Sequence, residues 1–368
     1  MRIGIEITPL THTPTGVGYY VRHLLAAMVR LSDASALHGF ASGVRPLDAE
    51  HIPIWYVRLP VPTRLLYQCW DIFGYPRVDR MLGGVDVYHA VNYVLPPVKR
   101  ARRVLSIHDL SFVRYPEWTS PRIVSPFQRT IKRHAHEADA VITCSEATRQ
   151  DIIELLDVPR ERIHVIHDAA DSLFHPVEPE KAARQVHEQL GIEPPYMLFV
   201  GTLEPRKNIT GLLDAFARAD VPHRLLIVGG EGWGQDELPG HVARLGIEER
   251  VVFSGYIQDR TLFPALYSAA DAFLFPSWYE GFGLPILEAM ACGCPVISSN
   301  TSSLPEVGGD APYYVAPEDT DALTTAIEQL AADRAMRRRM REKGLLRARC
   351  FSWNTCAEQT LACYRSVL

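Results

Sequence analysis

Cysteine pairs of the kind that build disulfide scaffolds or hold metals are lacking in this sequence of 368 residues. It has seven cysteines, an odd number, and none is arranged as Cys-x-x-Cys. The spacing of Cys356 and Cys363 puts both on one face of a helix, where free thiols are usually buried. This usage excludes a disulfide-stapled secreted domain and indicates a reducing compartment such as the cytoplasm.

Long apolar runs are lacking as well. No window approaches the ~18 apolar residues of a membrane-spanning helix. Residues 1–6 do not resemble the start of a signal peptide, because no apolar core follows and Glu6 comes early. We therefore expect a cytoplasmic protein without a membrane span.

An excess of basic charge is absent too, since 38 basic and 43 acidic residues give a net charge of −5. Proteins that coat nucleic acid are normally basic, so nucleic acid is not an expected partner. Hydrophobic residues make up 47% and charged residues 22%, which is ordinary for a globular protein. The chain exceeds the ~250–300 residues that one core usually supports, and this predicts two domains.

Short β-branched runs alternate with helical patterns along the whole chain. The predicted strands are 2–8, 54–59, 85–89, 104–108, 140–143, 163–166, 197–200, 224–228, 251–253, 272–275, 296–298 and 313–315. This order predicts an α/β protein whose parallel sheets are covered by helices on both faces. The pattern restarts near residue 195 after a polar stretch, so we expect domains 1–174 and 175–351 with a cleft between them.

The segment 280–288 reads Glu-Gly-Phe-Gly-Leu-Pro-Ile-Leu-Glu and follows a predicted strand. Its glycines and proline favour a tight turn into a helix, whose first N–H groups, near Gly283 and Leu284, suit a phosphate. Glu288 can accept hydrogen bonds from two vicinal hydroxyls of a ribose, and Glu280 can reach a second polyol. The alternative is a glycine turn before a helix with a solvated Glu.

The segment 199–208 also follows a strand and opens a helix. Arg206 offers a planar fork and Lys207 a point charge, and together they can neutralise a diphosphate. Ordinary surface charge is the alternative interpretation.

A third candidate, His108, ends a strand in the first half of the chain. It can donate a hydrogen bond to a sugar hydroxyl or exchange a proton, although a lone histidine is usually structural.

The glycines of segment 13–20 lie between the first strand and the first helix and can admit a ligand to the helix N-terminus. Their spacing is not Gly-x-Gly-x-x-Gly, and this disfavours a nicotinamide-dependent enzyme.

Two charged segments suggest a function but are explained more simply as structural features. Asp319 and Asp321 resemble a metal-binding pair, but they open a predicted helix, where an N-cap is expected. The basic run 99–103 is most simply surface charge. Near the apolar stretch 65–75, docking on an anionic membrane surface is the alternative.

With these motifs the sequence resembles the retaining glycosyltransferases of family 4, which have the GT-B fold. The carboxylate pair Glu280 and Glu288 matches the family signature, and 199–208 resembles its diphosphate-binding loop. Segment 107–118 looks like a mannosyltransferase-type subgroup. The resemblance implies two Rossmann-like domains that face each other across a cleft, with the last helix, 352–368, packed back on the first domain.

The resemblance also implies roles for individual residues. Glu288 would hold the ribose, Arg206 and Lys207 the diphosphate, and His108 the sugar near the reacting carbon. The residues expected around the donor sugar and its phosphate are Glu280, Phe282, Gly283, Leu284 and Gly16. Thr15-Gly16 and the junction 167–171 depart from the usual family pattern. The resemblance therefore does not determine the shape of the first loop or of the hinge.

The expected activity is transfer of a sugar, with GDP-mannose as the first donor, to a lipid-linked or polysaccharide acceptor. The donor is a co-substrate, and the resemblance implies neither a metal nor another cofactor. A nucleotide-sugar epimerase and a non-catalytic two-domain sugar-binding protein are the alternatives. A peripheral position at the inner face of the membrane is compatible with the basic run.

Overall fold

The computed structural model describes residues 1–11, 16–31, 34–45, 47, 54–119, 121–230, 232 and 237–368, with residues 121–126 described by their backbone alone. The chain divides into two compact units. The first comprises Met1–Arg114, Pro121–Asp168 and Ser352–Leu368, and the second comprises Tyr115–Ser120 and Ala169–Phe351. The sequence-based boundary after residue 174 lies close to this division.

Seven parallel strands form the sheet of the first unit. In chain order they are β1 (Ile3–Glu6), β2 (Leu37–Ser42), β3 (Trp55–Leu59), β4 (Val87–Ala90), β5 (Arg102–Ile107), β6 (Ala140–Thr143) and β7 (Ile163–Val165). Their spatial order is β3-β2-β1-β4-β5-β6-β7. The accompanying helices are α1 (Gly16–Leu31), α2 (Thr63–Phe73), α3 (Val78–Met81), α4 (Ser111–Arg114), α5 (Pro121–Glu137) and α6 (Glu146–Leu156).

Six parallel strands form the sheet of the second unit. They are β8 (Tyr196–Val200), β9 (Arg224–Val228), β10 (Val251–Gly255), β11 (Ala272–Phe275), β12 (Val296–Ser299) and β13 (Tyr313–Val315), in the order β10-β9-β8-β11-β12-β13. The helices are α7 (Pro179–Leu190), α8 (Ile209–Arg218), α9 (Leu238–Leu245), α10 (Phe263–Ala269), α11 (Leu284–Ala291), α12 (Leu304–Gly308), α13 (Thr320–Ala332) and α14 (Arg334–Ala348).

Two Rossmann-like units with parallel sheets confirm the predicted α/β class. Every strand except β2 overlaps a predicted segment. The sequence of β2 contains no β-branched residue, so its local pattern does not indicate a strand. It forms because it pairs with β1 on one side and β3 on the other, which places Gly39 between Ile5 and Tyr56.

The last helix, α15 (Trp353–Ser366), belongs to the first unit and packs against α1. The Trp353 ring stacks on His23 with centroids 5.2 Å apart, and the Tyr364 hydroxyl lies 2.6 Å from His89 Nδ1. Cys356 and Cys363 are buried free thiols, which confirms the prediction from their spacing. Among the helices of the described residues, none combines the length and apolar character needed to cross a bilayer.

Candidate active site

The carboxyl ends of β8 and β11 lie side by side because these two strands pair directly. The loop after β8 carries a short 3-10 helix, Pro205–Lys207, and the loop after β11 leads into α11. Ligands of open α/β sheets bind in loops at this edge. The structure therefore brings the segments 199–208 and 280–288 to one edge of the sheet of the second unit.

Arg206, Lys207 and Glu280 form a buried ionic cluster at this edge. Arg206 Nη1 donates to Glu280 Oε2 at 2.8 Å, and Lys207 Nζ donates to Glu280 Oε1 at 2.6 Å. Arg206 Nη2 lies 2.6 Å from Glu204 Oε1, and Lys207 Nζ lies 4.7 Å from the centroid of the Phe275 ring. Two cations thus hold one carboxylate in a fixed orientation.

The two cationic neighbours of Glu280 determine its ionisation state. Burial by itself raises the pKa of Glu280, but the charges of Arg206 and Lys207 outweigh this effect and lower the pKa to about 2. Glu280 is therefore ionised at neutral pH. The side chain of Arg206 is 19% exposed and that of Lys207 only 7%. A ligand arriving from solvent meets Arg206 first.

Gly283 forms the turn between Glu280 and α11. Its φ of 104° is one that glycine tolerates, and a Cβ there would lie 2.6 Å from Leu304 Cδ2. Helix α11 begins at Leu284, and no backbone acceptor for the N–H groups of Gly283 and Leu284 occurs among the described residues. These two groups can bind an anion, as the sequence predicts. Phe282 is buried and packs edge-on against Phe351.

Two serines support this turn, and the sequence analysis missed them. The Ser303 hydroxyl lies 2.9 Å from the carbonyl oxygen of Glu280 and 2.8 Å from that of Phe282. Ser302 Oγ accepts the Glu280 N–H at 2.9 Å. The serine-rich loop after β12 thereby fixes the loop after β11. The cluster of hydroxyl residues at 298–303 was the available signal in the sequence.

Glu288, on α11, belongs to a different cluster. Its carboxylate accepts hydrogen bonds from Arg260 at 3.2 Å and from Tyr267 at 3.4 Å. Arg260 also lies 3.9 Å from Asp171 and over the ring of Phe174. Burial raises the pKa of Glu288 to about 7, although Arg260 and Tyr267 act in the opposite direction. Sequence reasoning did not identify these partners.

His108 lies at the end of β5, in the first unit. Its Nε2 is 2.9 Å from the carbonyl oxygen of Val91, which can only accept, so Nε2 carries the proton and Nδ1 keeps its lone pair. The Tyr20 ring meets the imidazole edge-on with centroids 4.8 Å apart. Burial lowers the pKa of His108, so the ring is neutral and Nδ1 can accept a hydrogen bond from a hydroxyl.

Gly16 is the first residue of α1 and is exposed. Among the described residues, and apart from its chain neighbours and its own helix, no atom lies within 4 Å of the position of a Cβ on this glycine. The described part of the chain therefore does not crowd the start of α1, where the sequence predicts ligand access. Residues 13–15 of the same motif lie outside the described residues.

One group in the described part of the chain has the composition of a metal site. Side-chain atoms of His108, Cys144 and Asp168 lie within 4.8 Å of one another. Burial raises the pKa of Asp168 to about 7. Asp319 caps α13 by accepting the Ala322 N–H at 2.8 Å, which confirms the predicted N-cap.

Two Rossmann-like units with a carboxylate and two cations at a strand edge are the arrangement that the sequence analysis expects of a GT-B glycosyltransferase. Family models agree with this assignment. Residues 180–347 match the model described as glycosyl transferases group 1, and residues 15–169 match the glycosyl transferase 4-like domain. The chain belongs to this family of glycosyltransferases.

Relatives of full length carry the same assignment. The chain is 33% identical to an O-antigen chain mannosyltransferase B of Escherichia coli, with 99% of this chain and 100% of that protein covered. It is 29% identical to the MMP α-(1→4)-mannosyltransferase of Mycolicibacterium hassiacum, over 96% of this chain and 95% of that protein. The structure matches a sucrose-phosphate synthase of Thermosynechococcus elongatus with a TM-score of 0.80 and 26% identity, over 99% and 98% of the two chains.

Proposed function

We propose that the chain transfers mannose from GDP-mannose to a hydroxyl of a lipid-linked or polysaccharide acceptor, with retention of the anomeric configuration. The observation that carries the proposal is the buried cluster of Arg206, Lys207 and Glu280 beside the start of α11. Mannose is favoured because both full-length relatives described above are named mannosyltransferases.

In this proposal each part of the site has one task. Arg206, with Lys207 behind it, receives the diphosphate together with the free N–H groups of Gly283 and Leu284. Glu288 accepts hydrogen bonds from the two ribose hydroxyls. Glu280 holds the sugar and balances the positive charge that the ring gains as the diphosphate departs.

The reaction exchanges one bond for another at the anomeric carbon. The bond from this carbon to the phosphate oxygen breaks, and a bond to the acceptor oxygen forms on the same face of the sugar. The departing phosphate oxygen takes the acceptor proton. The protein orients both substrates and stabilises the departing diphosphate with its cations.

Three variants test this division of tasks. In Glu280→Gln, turnover should fall by about 10²–10³-fold, while GDP affinity is kept because the freed cations still bind the diphosphate. In His108→Ala, turnover should fall by about 10²-fold at unchanged GDP affinity, because the imidazole holds the donor sugar near the reacting carbon and does not contact the nucleotide. In Arg206→Ala, both turnover and affinity should fall. Steady-state kinetics paired with calorimetry of GDP binding measures these effects.

The exposed Arg218, which pairs with Asp321 away from this edge, gives the matched control, and Arg218→Ala should change neither quantity. A His108→Ala variant that turns over at the wild-type rate would remove His108 from the site. A Glu280→Gln variant that loses GDP affinity as fully as Arg206→Ala would contradict the separate roles of the carboxylate and the cations.

We also propose that the reaction needs no metal. The positive charge beside the expected diphosphate is supplied by Arg206 and Lys207, and Asp319 is occupied as a helix cap. Transfer by protein treated with EDTA should therefore equal transfer by untreated protein. Loss of activity that Mg²⁺ or Mn²⁺ restores would contradict this and direct attention to His108, Cys144 and Asp168.

We place the reaction in the cytoplasm, at the surface of an anionic membrane. The seven free cysteines support a reducing compartment. Exposed apolar side chains cluster on α2 and just after it, at Leu65, Ile72, Phe73 and Tyr75. Lys99 and Arg100 are exposed in the same unit, and this combination suits anionic lipid.

A further inference from the structure

A groove of about 1050 Å³ crosses the first unit between α2, the loop 94–98 and α5. Its volume lies at the upper end of the range for pockets that take small ligands. Apolar side chains form its walls, among them Tyr67, Trp70, Leu95 and Phe127. None of the tasks assigned to the active site uses this groove.

Arginines surround the groove and differ in what they contact. Arg133 Nη2 reaches across to Asp71 at 2.6 Å, and Arg103 lies 3.8 Å from Glu137. Arg64 and Arg129 also line the groove and are exposed, and neither forms an ion pair with any residue that the structure describes. An apolar channel with two available guanidinium groups suits an amphiphile with an anionic head.

The surface beside the groove also has apolar side chains, and these are exposed to solvent. Leu65 is 55% exposed, Ile72 69% and Phe73 73%, and all three belong to α2. Helix α2 therefore presents apolar side chains to solvent while its other face contributes Tyr67 and Trp70 to the groove. One helix thus carries both an exposed apolar face and part of the groove wall, and exposed apolar patches of this kind mark sites of membrane contact.

One loop connects the groove with His108. The carbonyl of Val91, just after β4, accepts the Nε2–H of His108, and the groove wall begins at Val94. Three residues span at most about 11 Å, so this wall starts close to the imidazole. A positive φ at Tyr93 turns the loop and shortens the distance further. The groove wall thus begins within about 11 Å of the carbonyl that holds His108.

We propose that this groove binds a lipid phosphate, with the hydrocarbon chain along Trp70 and Leu95 and the phosphate on Arg64 and Arg129. It would hold the lipid part of the acceptor while the sugar to be extended lies near His108. The inference rests on the proposed transfer to a lipid-linked acceptor and selects that acceptor class over a free polysaccharide.

Equilibrium binding of a fluorescent polyprenyl phosphate, dispersed in neutral detergent and without donor, tests the site independently of catalysis. The wild-type protein should bind it saturably. Arg64→Ser/Arg129→Ser should bind at least about tenfold more weakly, because two charge-assisted contacts are lost. Val98→Trp, which fills the groove, should also reduce binding. Arg338→Ser/Arg339→Ser, an equal loss of charge on α14, should bind as the wild type does.

The other ligands define the results that would overturn the proposal. Neutral polyprenol should bind more weakly than the phosphate, and inorganic phosphate should not compete at equal concentration. Equal affinity of the wild type and both groove variants would refute the groove. Sedimentation onto anionic vesicles without binding of dispersed lipid would assign this surface to bilayer docking alone. Lipid binding by a protein that transfers no sugar would uphold the groove and refute the proposed function.

Discussion

Glu280 and Glu288 are the same residue type, eight positions apart, yet the structure gives them opposite properties. Two cations at 2.6 and 2.8 Å keep Glu280 ionised. Glu288 has one guanidinium at 3.2 Å and a phenol, which do not offset its burial, so its pKa rises to about 7. The carboxylate that we propose as the acceptor for the two ribose hydroxyls therefore titrates near neutral pH.

This difference predicts a pH dependence of nucleotide binding. With a pKa of about 7, Glu288 loses most of its charge as the pH falls from 8 to 6, so GDP affinity should fall by about tenfold over this range. In Glu288→Gln, affinity should be lower at pH 8 and should vary only with the titration of GDP itself. Calorimetry at both pH values on both proteins measures the difference.

The free energy of unfolding of Glu288→Gln provides the control, because it shows whether the variant is still folded. Because its pKa in the folded state exceeds the ordinary 4.5, Glu288 binds more protons in the folded than in the unfolded state between pH 4.5 and about 7. Its contribution to stability is therefore lost as the pH rises through that window. Glu288→Gln should be at least as stable as the wild type at pH 8.

Parallel pH profiles of GDP affinity in the two proteins would exclude Glu288 from the ribose site.

At the scale of elements, the candidate active site depends on loops that support one another. The loop after β12 holds the turn into α11 through Ser302 and Ser303, and the 3-10 helix after β8 supplies the cations. By contrast, α13 is stabilised at its own N-terminus, where Asp319 accepts the Ala322 N–H at 2.8 Å. The acidic pair at the start of α13 is thus structural.

The cap predicts a stability effect without a functional one. Asp319→Ala should lower the free energy of unfolding by about 1 kcal/mol. The matched change Asp321→Ala should have a smaller effect, because Asp321 is 89% exposed and pairs with an exposed Arg218. Urea denaturation measures both variants, and both should transfer sugar at the wild-type rate. A loss of transfer confined to Asp319→Ala and reversed by added metal would contradict the capping role.

At the scale of the molecule, the first unit carries both the exposed apolar side chains of α2 and the basic run 99–103. The basic run 99–103 is divided by its contacts. Arg102 pairs with Asp139 at 3.1 Å, whereas the side chains of Lys99 and Arg100 have no ion pair among the described residues. Lys99 and Arg100 are therefore the residues to test for membrane contact.

In Lys99→Ser/Arg100→Ser, the affinity for anionic vesicles at low salt, measured by cosedimentation, should decrease by about 30-fold, because the two basic residues together contribute about 2 kcal/mol at such a surface. Added salt should weaken the binding of the wild type in the same direction. Arg338→Ser/Arg339→Ser has the same change in net charge and should sediment as the wild type does. Equal sedimentation of all three proteins, or none by any, would leave 99–103 as plain surface charge.

The local pattern of the sequence determined most of the secondary structure. Twelve of the thirteen strands overlap predicted segments because β-branched runs favour strands wherever they lie. The cap at Asp319 and the turn at Gly283 were predictable for the same reason, since capping and positive φ depend on the residue and its immediate neighbours. The motif 280–288 likewise pointed to a strand-edge loop entering a helix.

Only the tertiary structure decided which groups meet. The strand β2 forms through pairing with two neighbours, the serines of one loop hold another, and Glu288 meets Arg260 from a distant segment. The groove of the first unit is lined by α2 and α5, and the strands β4 and β5 lie between these two helices in the sequence. Such contacts depend on the path of the whole chain, so a local sequence pattern does not predict them. The pKa of a buried carboxylate depends on these contacts and is therefore not predictable from a local pattern.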